Sequence, residues 1–212
     1  MVKEHTSQCW KNVSNSCTTS ICLSHCFLFQ ENIYYNIITV PLTDPSIQKL
    51  MAYAIQIASV FGIKRGPAHI EIKDDPKRGP TLIEIAGRLA GASQPGLIRK
   101  YCNFDIYQAT VEVFTQGSTI VPEPIVYTKH AAVCLCPVLR TGVIKKILGI
   151  EQIQKLPSYE YHKISIHAGD RVQSSTDLGT IPCSVYLAHA DREQLMKDIA
   201  ATHALFKVDL EK

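Results

Sequence analysis

The chain has 212 residues, 46% of them hydrophobic and 19% charged, which suits one large globular domain or two small ones. Its formal net charge of +3 comes without any block of consecutive Lys or Arg, which argues against a nucleic-acid partner. No apolar run approaches the ~20 residues that span a bilayer, so a soluble protein with no membrane partner is expected.

Residues 1–31 are rich in Ser, Thr, Asn and Cys and hold no sustained helical or strand period, which predicts an irregular, poorly ordered leader. Four of the eight cysteines, Cys9, Cys17, Cys22 and Cys26, fall there beside His5 and His25, but without the paired C-x₂-C spacing of a zinc site. Lys3 and Lys11 precede Ile21-Cys22-Leu23 in the manner of a signal peptide, yet Ser24 and His25 break the apolar run. Cys102, Cys134, Cys136 and Cys183 sit in apolar surroundings, where a free thiol acts as a small hydrophobe. A reducing cytoplasm is the expected location.

From Asn32 the pattern becomes regular. Ile33 to Val40 is a β-rich run closed by Pro41. A helix follows, with Asp44 as cap, Pro45 at its first position, apolar residues at Ile47, Leu50, Met51, Ala54, Ala58 and Phe61, and Gly62 at its end. Pro67–Lys73 and Thr81–Ala86 read as the strands of a hairpin, joined by a turn of charged and turn-forming residues. Beyond the Gly87 to Gly96 loop, helices are expected from about Leu97 and from Asp105 to Thr115.

After Gly117 and the Pro122-Glu123-Pro124 spacer the period is mostly two. Strands are predicted near Tyr127–Leu139, Val143–Leu148, Tyr159–Ile166 and Cys183–His189. A closing helix runs from about Asp191 to Phe206, with Asp191 and Gln194 as a capping box. The fold class is α+β, in two parts, 32–120 and 121–212.

On the first hairpin strand His69, Glu71 and Lys73 share one face, and Ala68, Ile70 and Ile72 the other. On the second, strict alternation groups Leu82, Glu84 and Ala86 against Ile83 and Ile85. Pairing the strands can bring Glu71 and Glu84 together, and two adjacent carboxylates repel unless a cation lies between them, a role that suits magnesium. Arg88, at the exit of the second strand in a loop with Gly87 and Gly91, can grip a carboxylate or phosphate. A blander reading stays open on these residues alone: two solvated glutamates of an amphipathic hairpin, with Arg88 paired to one of them.

The runs Gly66-Pro67-Ala68-His69-Ile70-Glu71-Ile72-Lys73 and Thr81-Leu82-Ile83-Glu84-Ile85-Ala86-Gly87-Arg88-Leu89-Ala90-Gly91 resemble the ATP-grasp signature, an H-x-E strand followed by an L-I-E-x-x-x-R-x-x-G strand and loop. The likeness is closest to the L-amino-acid ligases that form dipeptides. It implies the carboxyl-terminal half of an ATP-grasp domain, an antiparallel sheet with helices, followed by a small β-rich α+β lobe. It also implies ATP and magnesium as cofactors, with Glu71 and Glu84 holding the metal ions on the ATP phosphates. Arg88 is then the catalytic residue that holds the acyl phosphate or tetrahedral intermediate. His69 in such a position orients its neighbours rather than acting as a base.

Many relatives carry a metal-binding Asn two residues after the second Glu, where this chain has Ala86, as the dipeptide-ligase branch also resembles. Full enzymes of the family have upstream lobes that grip ATP and hold adenine, and the leader stands where these belong. The resemblance therefore implies a truncated, ATP-dependent carboxylate–amine ligase acting on an amino-acid carboxylate and an amine. A partner chain is expected to supply the absent lobes, and the isolated chain to be inactive. The alternatives are a non-catalytic remnant or regulatory fragment, and another ATP-grasp reaction such as a carboxylase or purine-pathway ligase.

Overall fold

A computed structural model describes the backbone of residues 3–14, 16–30, 33–75, 77–91 and 94–211, and side chains from Tyr35 onward in those ranges except Ser46 and Gln94. The zinc and signal-peptide readings concern side chains before that point, outside the described residues. In chain order the strands are β1 (Lys3–Ser14), β2 (Ser16–Gln30), β3 (Ile33–Thr39), β4 (Gly66–Asp75), β5 (Gly79–Ala86), β6 (His130–Cys136), β7 (Gly142–Leu148), β8 (Tyr159–Ile164), β9 (Arg171–Val172), β10 (Cys183–His189) and β11 (Lys207–Leu210). The helices are α1 (Pro45–Val60), α2 (Gln94–Tyr101), α3 (Ile106–Gln116), α4 (Ile150–Ile153) and α5 (Arg192–Leu205). None is long and apolar enough to cross a membrane.

Two compact units result: Val2–Cys26 with Thr39–Thr128, and Phe27–Ile38 with Lys129–Lys212. The division falls after Thr128, later than the expected boundary at 120. β3 belongs with the carboxyl-terminal unit although the chain enters it first.

In the first unit the strand order is β5-β4-β1-β2. Where an irregular leader is expected, the backbone is extended, and β1 pairs antiparallel with β4 from Glu4↔Lys73 to Lys11↔Gly66. The physical reason lies in β4, which has β5 on one edge and unpaired N–H and C=O groups to satisfy on the other. A Thr-, Cys- and Phe-containing segment is compatible with that extended form, though it lacks the alternation that announces a strand.

α1 packs Ile47, Leu50, Ala54 and Ala58 against Ala68, Ile70 and Ile72 of β4, all of them buried. Each large aliphatic side chain so enclosed contributes roughly 1.5–3 kcal/mol. α1 stops at Gly62, whose φ of 69° is left-handed. The Gly62 N–H donates to Ser59 O (3.1 Å) and the Ile63 N–H to Ala58 O (2.9 Å), the two bonds of a Schellman cap. α3 begins at Asp105, whose Oδ1 accepts from the N–H groups of Tyr107 and Gln108. Its Ile106, Ala109 and Val113 enclose a smaller core with Phe104.

In the second unit the main order is β3-β6-β10-β8, with a separate sheet β11-β7-β9. Cys134, Cys136, Cys183, Val185 and Leu187 form one buried cluster with Leu195, Ile199 and Phe206 at α5. Gly149 precedes α4 at φ 91°, and a Cβ there would lie 2.1 Å from Leu205 O, so only glycine fits that approach.

The capping box expected for α5 is half formed. Asp191 Oδ1 accepts from the Glu193 N–H at 2.8 Å, but Gln194 turns to Asp198 Oδ1 at 2.9 Å instead of reaching back. The Asp191 N–H donates to His189 Nδ1 at 3.0 Å, which supplies the bond that Gln194 does not. Buried Asp198 then accepts the Ser158 N–H at 2.9 Å and ties the chain entering β8 to α5.

Candidate metal and phosphate site

β4 and β5 pair antiparallel, and Glu71 stands directly opposite Glu84. The next partners are Ile72↔Leu82, so the register slips there and Ile83 is the extra residue of a β-bulge. This corrects the strict alternation predicted for β5. Leu82 and Ile85, three apart, both pack against the α1–β4 core. Ile83 (51% exposed) and the Glu84 side chain (56%) both face outward.

The bulge is held from α1. The Leu82 N–H donates to Tyr53 Oη at 3.2 Å, across 29 residues of sequence. That support was not legible in the motif, because a bulge is a relation between two strands and Tyr53 lies in another element. Its only trace is the apolar pair Leu82 and Ile85 at a spacing that no regular strand can bury on one face.

Around the carboxylates the polar contacts differ. His69 Nε2 lies 3.2 Å from Glu71 Oε1, and the Glu71 side chain is 19% exposed. Glu84 Oε1 lies 3.9 Å from Arg88 Nη2, both side chains being open to solvent. Arg88 also donates from Nη1 to Leu89 O (2.9 Å), and its own N–H donates to Ala86 O (2.9 Å), a tight turn around Gly87. A Cβ at Gly87 or Gly91 would meet nothing within 4 Å, so the loop beside Arg88 is open.

This donor set is two facing carboxylates, oxygen ligands only, with a guanidinium at one of them. Among the described residues no group of three or more His, Cys, Asp and Glu gathers as a cage. Two carboxylates with room beside them fit magnesium, which keeps waters and substrate phosphates in its shell. They do not fit zinc, whose structural sites close around four protein ligands.

The cysteines of the second unit supply no competing site. Cys136 faces Cys183 across the β6–β10 ladder, both buried. Contact with Cys183 and burial push the Cys136 thiol far up, and burial does the same to Cys134, so neither is a ready nucleophile.

Comparison of the whole chain with solved structures supplies the context for this hairpin. It superposes on the L-amino acid ligase from Bacillus licheniformis with a TM-score of 0.83 and 15% identity, covering 100% of this chain and 52% of that one. It superposes on phosphoribosylglycinamide synthetase from Anaerococcus prevotii with a TM-score of 0.73 and 12% identity, covering 98% of this chain and 53% of that one. The fold is that of an ATP-grasp carboxyl-terminal part.

The same ATP-grasp likeness extends to the biotin carboxylase domain of the Hydrogenobacter thermophilus 2-oxoglutarate carboxylase, a structure in complex with MgADP and bicarbonate, at a TM-score of 0.65 and 12% identity, over 98% of this chain and 46% of that one. The chain spans about half the length of these structures. No family model matches it, and no curated protein matches it in sequence.

Proposed function

We propose that this chain carries the metal and acyl-phosphate end of an ATP-dependent carboxylate–amine ligase site. The observation that carries the reading is the direct pairing of Glu71 with Glu84 on the β4–β5 hairpin, with Arg88 at Glu84, within an ATP-grasp fold. Glu71 and Glu84 hold magnesium, and Arg88 binds the anionic oxygens of the activated substrate in the open loop beside it. Magnesium, when bound, supplies charge neutralisation to the phosphates. ATP, when bound, would give its terminal phosphoryl group to the substrate carboxylate with ADP leaving; Arg88 would hold the acyl phosphate while a neutral amine attacks its carbonyl, forming the amide bond and releasing phosphate and the amine's proton. An amino acid is the proposed carboxylate substrate, by likeness to the dipeptide-forming branch.

The residues that grip adenine and ribose lie outside this hairpin, on lobes from elsewhere in a longer polypeptide or on a partner chain. That is why the 212 residues by themselves are expected to bind magnesium–nucleotide weakly and to release no ADP from ATP with mixed amino acids. The test is calorimetric titration with MgATP, followed by the ADP-release assay on the chain and on Glu84→Ala. Amino-acid-dependent ADP release that disappears in Glu84→Ala would show the chain to be a complete enzyme. Retention of the same metal and nucleotide binding in a Glu71→Ala/Glu84→Ala double variant would remove the site altogether.

A second reading, a non-catalytic regulatory remnant, draws support from the chain spanning about half of the structures that it matches. It predicts no metal binding at Glu71 and Glu84 even when the missing lobes are supplied.

A further inference from the structure

Helix α3 carries more apolar surface than its core uses. It buries Ile106, Ala109 and Val113 on one side, yet Tyr107, Val111 and Phe114 are 39%, 60% and 68% exposed. Residues three and four apart stand one above another on a helix, so these three form a second stripe, apart from the buried one. A helix that meets its core on one side is expected to be polar on the others. The stripe is also held in shape. A Cβ at Gly66 would lie 2.8 Å from Phe114 Cζ, so the Phe114 ring rests close on the bare start of β4 with its other side open. The Arg99 guanidinium lies 5.9 Å from the centroid of the Tyr107 ring, and its charge is balanced by Asp105 at 2.7 Å. Glu112, the one charged residue within α3, stands on a different flank, where Gln108 Nε2 donates to it at 2.7 Å and Thr119 Oγ1 donates as well.

The stripe reads nearly alike from either end: aromatic, valine, aromatic. An antiparallel copy with its two-fold axis at Val111 sets Tyr107 against Phe114 of the partner subunit and the reverse, ring against ring. No unbalanced charge stands in that contact, and the two helix dipoles run oppositely. We propose that the outer stripe of α3 is a self-association surface, on which a second copy of this chain docks about a two-fold axis at Val111. The inference is independent of the metal reading of Glu71 and Glu84. On each copy the three side chains leave roughly 300 Å² open, so a pair encloses about 600 Å² from them alone. That lies under the ~1,200 Å² of stable specific interfaces, so the pair is weak and concentration-dependent.

The test is sedimentation velocity on the full chain across about 1–500 micromolar, a span that brackets a weak pair. The natural chain should move from the mass of one copy, 23.6 kDa, toward that of two and no further. Val111→Glu and Val111→Lys each set like charges face to face on the axis and should raise the dissociation constant by about tenfold or more. Mixed in equal amounts, the two variants should pair again. Val111 is exposed, so both are expected to keep the natural far-ultraviolet spectrum.

A natural chain that stays at one copy throughout overturns the proposal and leaves the stripe to a different polypeptide, such as one carrying the adenine-gripping lobes. Pairing that survives both charged variants, a mixture of them that stays apart, or growth beyond two copies overturns it as well, because the contact then lies elsewhere or does not close. Should a charged variant misfold, Val111→Ala still decides, since it favours the helix and only shortens the side chain. Its dissociation constant should rise severalfold, and an unchanged one overturns pairing about Val111.

Discussion

Strands β6 and β10 pair without interruption from His130↔His189 to Cys136↔Cys183, whereas β4 and β5 lose step between Glu71 and Ile72. Both ladders are antiparallel and each has a buried face. In the first, the paired positions that face α5 are apolar, and each cross-strand contact adds to the same core. In the second, two like charges stand opposite each other and a bulge turns an isoleucine and a glutamate outward together. Like charges in register cost stability unless something lies between them, and bulges re-aim side chains beside binding sites. The contrast separates a ladder built for cohesion from one whose geometry suits the metal site proposed for Glu71 and Glu84.

The sharpest way to break that contrast is to cut into the cohesive ladder. Leu187→Ala, at a fully buried position, is expected to lower unfolding free energy by about 2–5 kcal/mol in chemical denaturation. A loss below about 1 kcal/mol would show that the β6–β10 face is not the unit's core. Next comes the support of the bulge: Tyr53→Phe deletes the oxygen that accepts the Leu82 N–H and should cost about 1 kcal/mol. An unchanged melting curve would mean that water satisfies Leu82 equally well and that the bulge needs no brace.

A gentler effect is expected with pH. Burial holds the His203 pKa below its ordinary value of 6.5, and its Nε2 lies 2.7 Å from Asn36 Oδ1. The unfolded chain therefore takes up this proton first as pH falls, so the contribution is whole above about 6.5 and is lost as pH drops through the lowered value. His130 is held down as well and acts in the same direction. His203→Gln should flatten part of the decline in melting temperature between neutral and mildly acidic pH; an unaltered slope would assign that decline to other groups.

The smallest expected change is at the candidate site itself. Glu84→Gln should leave stability within about 0.5 kcal/mol of the natural chain, with any shift upward because a repulsion is relieved. A clear destabilisation would make Glu84 a structural residue and weaken the reading of the hairpin as a ligand site.

Much of this was legible in the sequence where the cause is local. Pro45 and Gly62 bound α1 because a fixed φ and a left-handed φ are properties of single residues, and Asp105 and Asp191 cap helices by bonds to residues two or three away. The facing of Glu71 and Glu84 follows from a short hairpin. What was not legible depends on partners distant in sequence: the pairing of β1 with β4, and the bulge at Ile83 with its brace on Tyr53. Each of these is chosen by what the tertiary fold brings near, and no window of neighbouring residues contains both participants.

The strand order has one more consequence. β4 has a neighbour on each side, β5 and β1, while β5 ends the order. Amide protons along β4 are locked on both edges and should exchange with deuterated solvent only when the unit opens as a whole. Those on the outer side of β5 should exchange through small local fluctuations. Glu71 is thus carried on a strand expected to open slowly and Glu84 on one expected to open fast, so the two halves of the candidate site should keep different time.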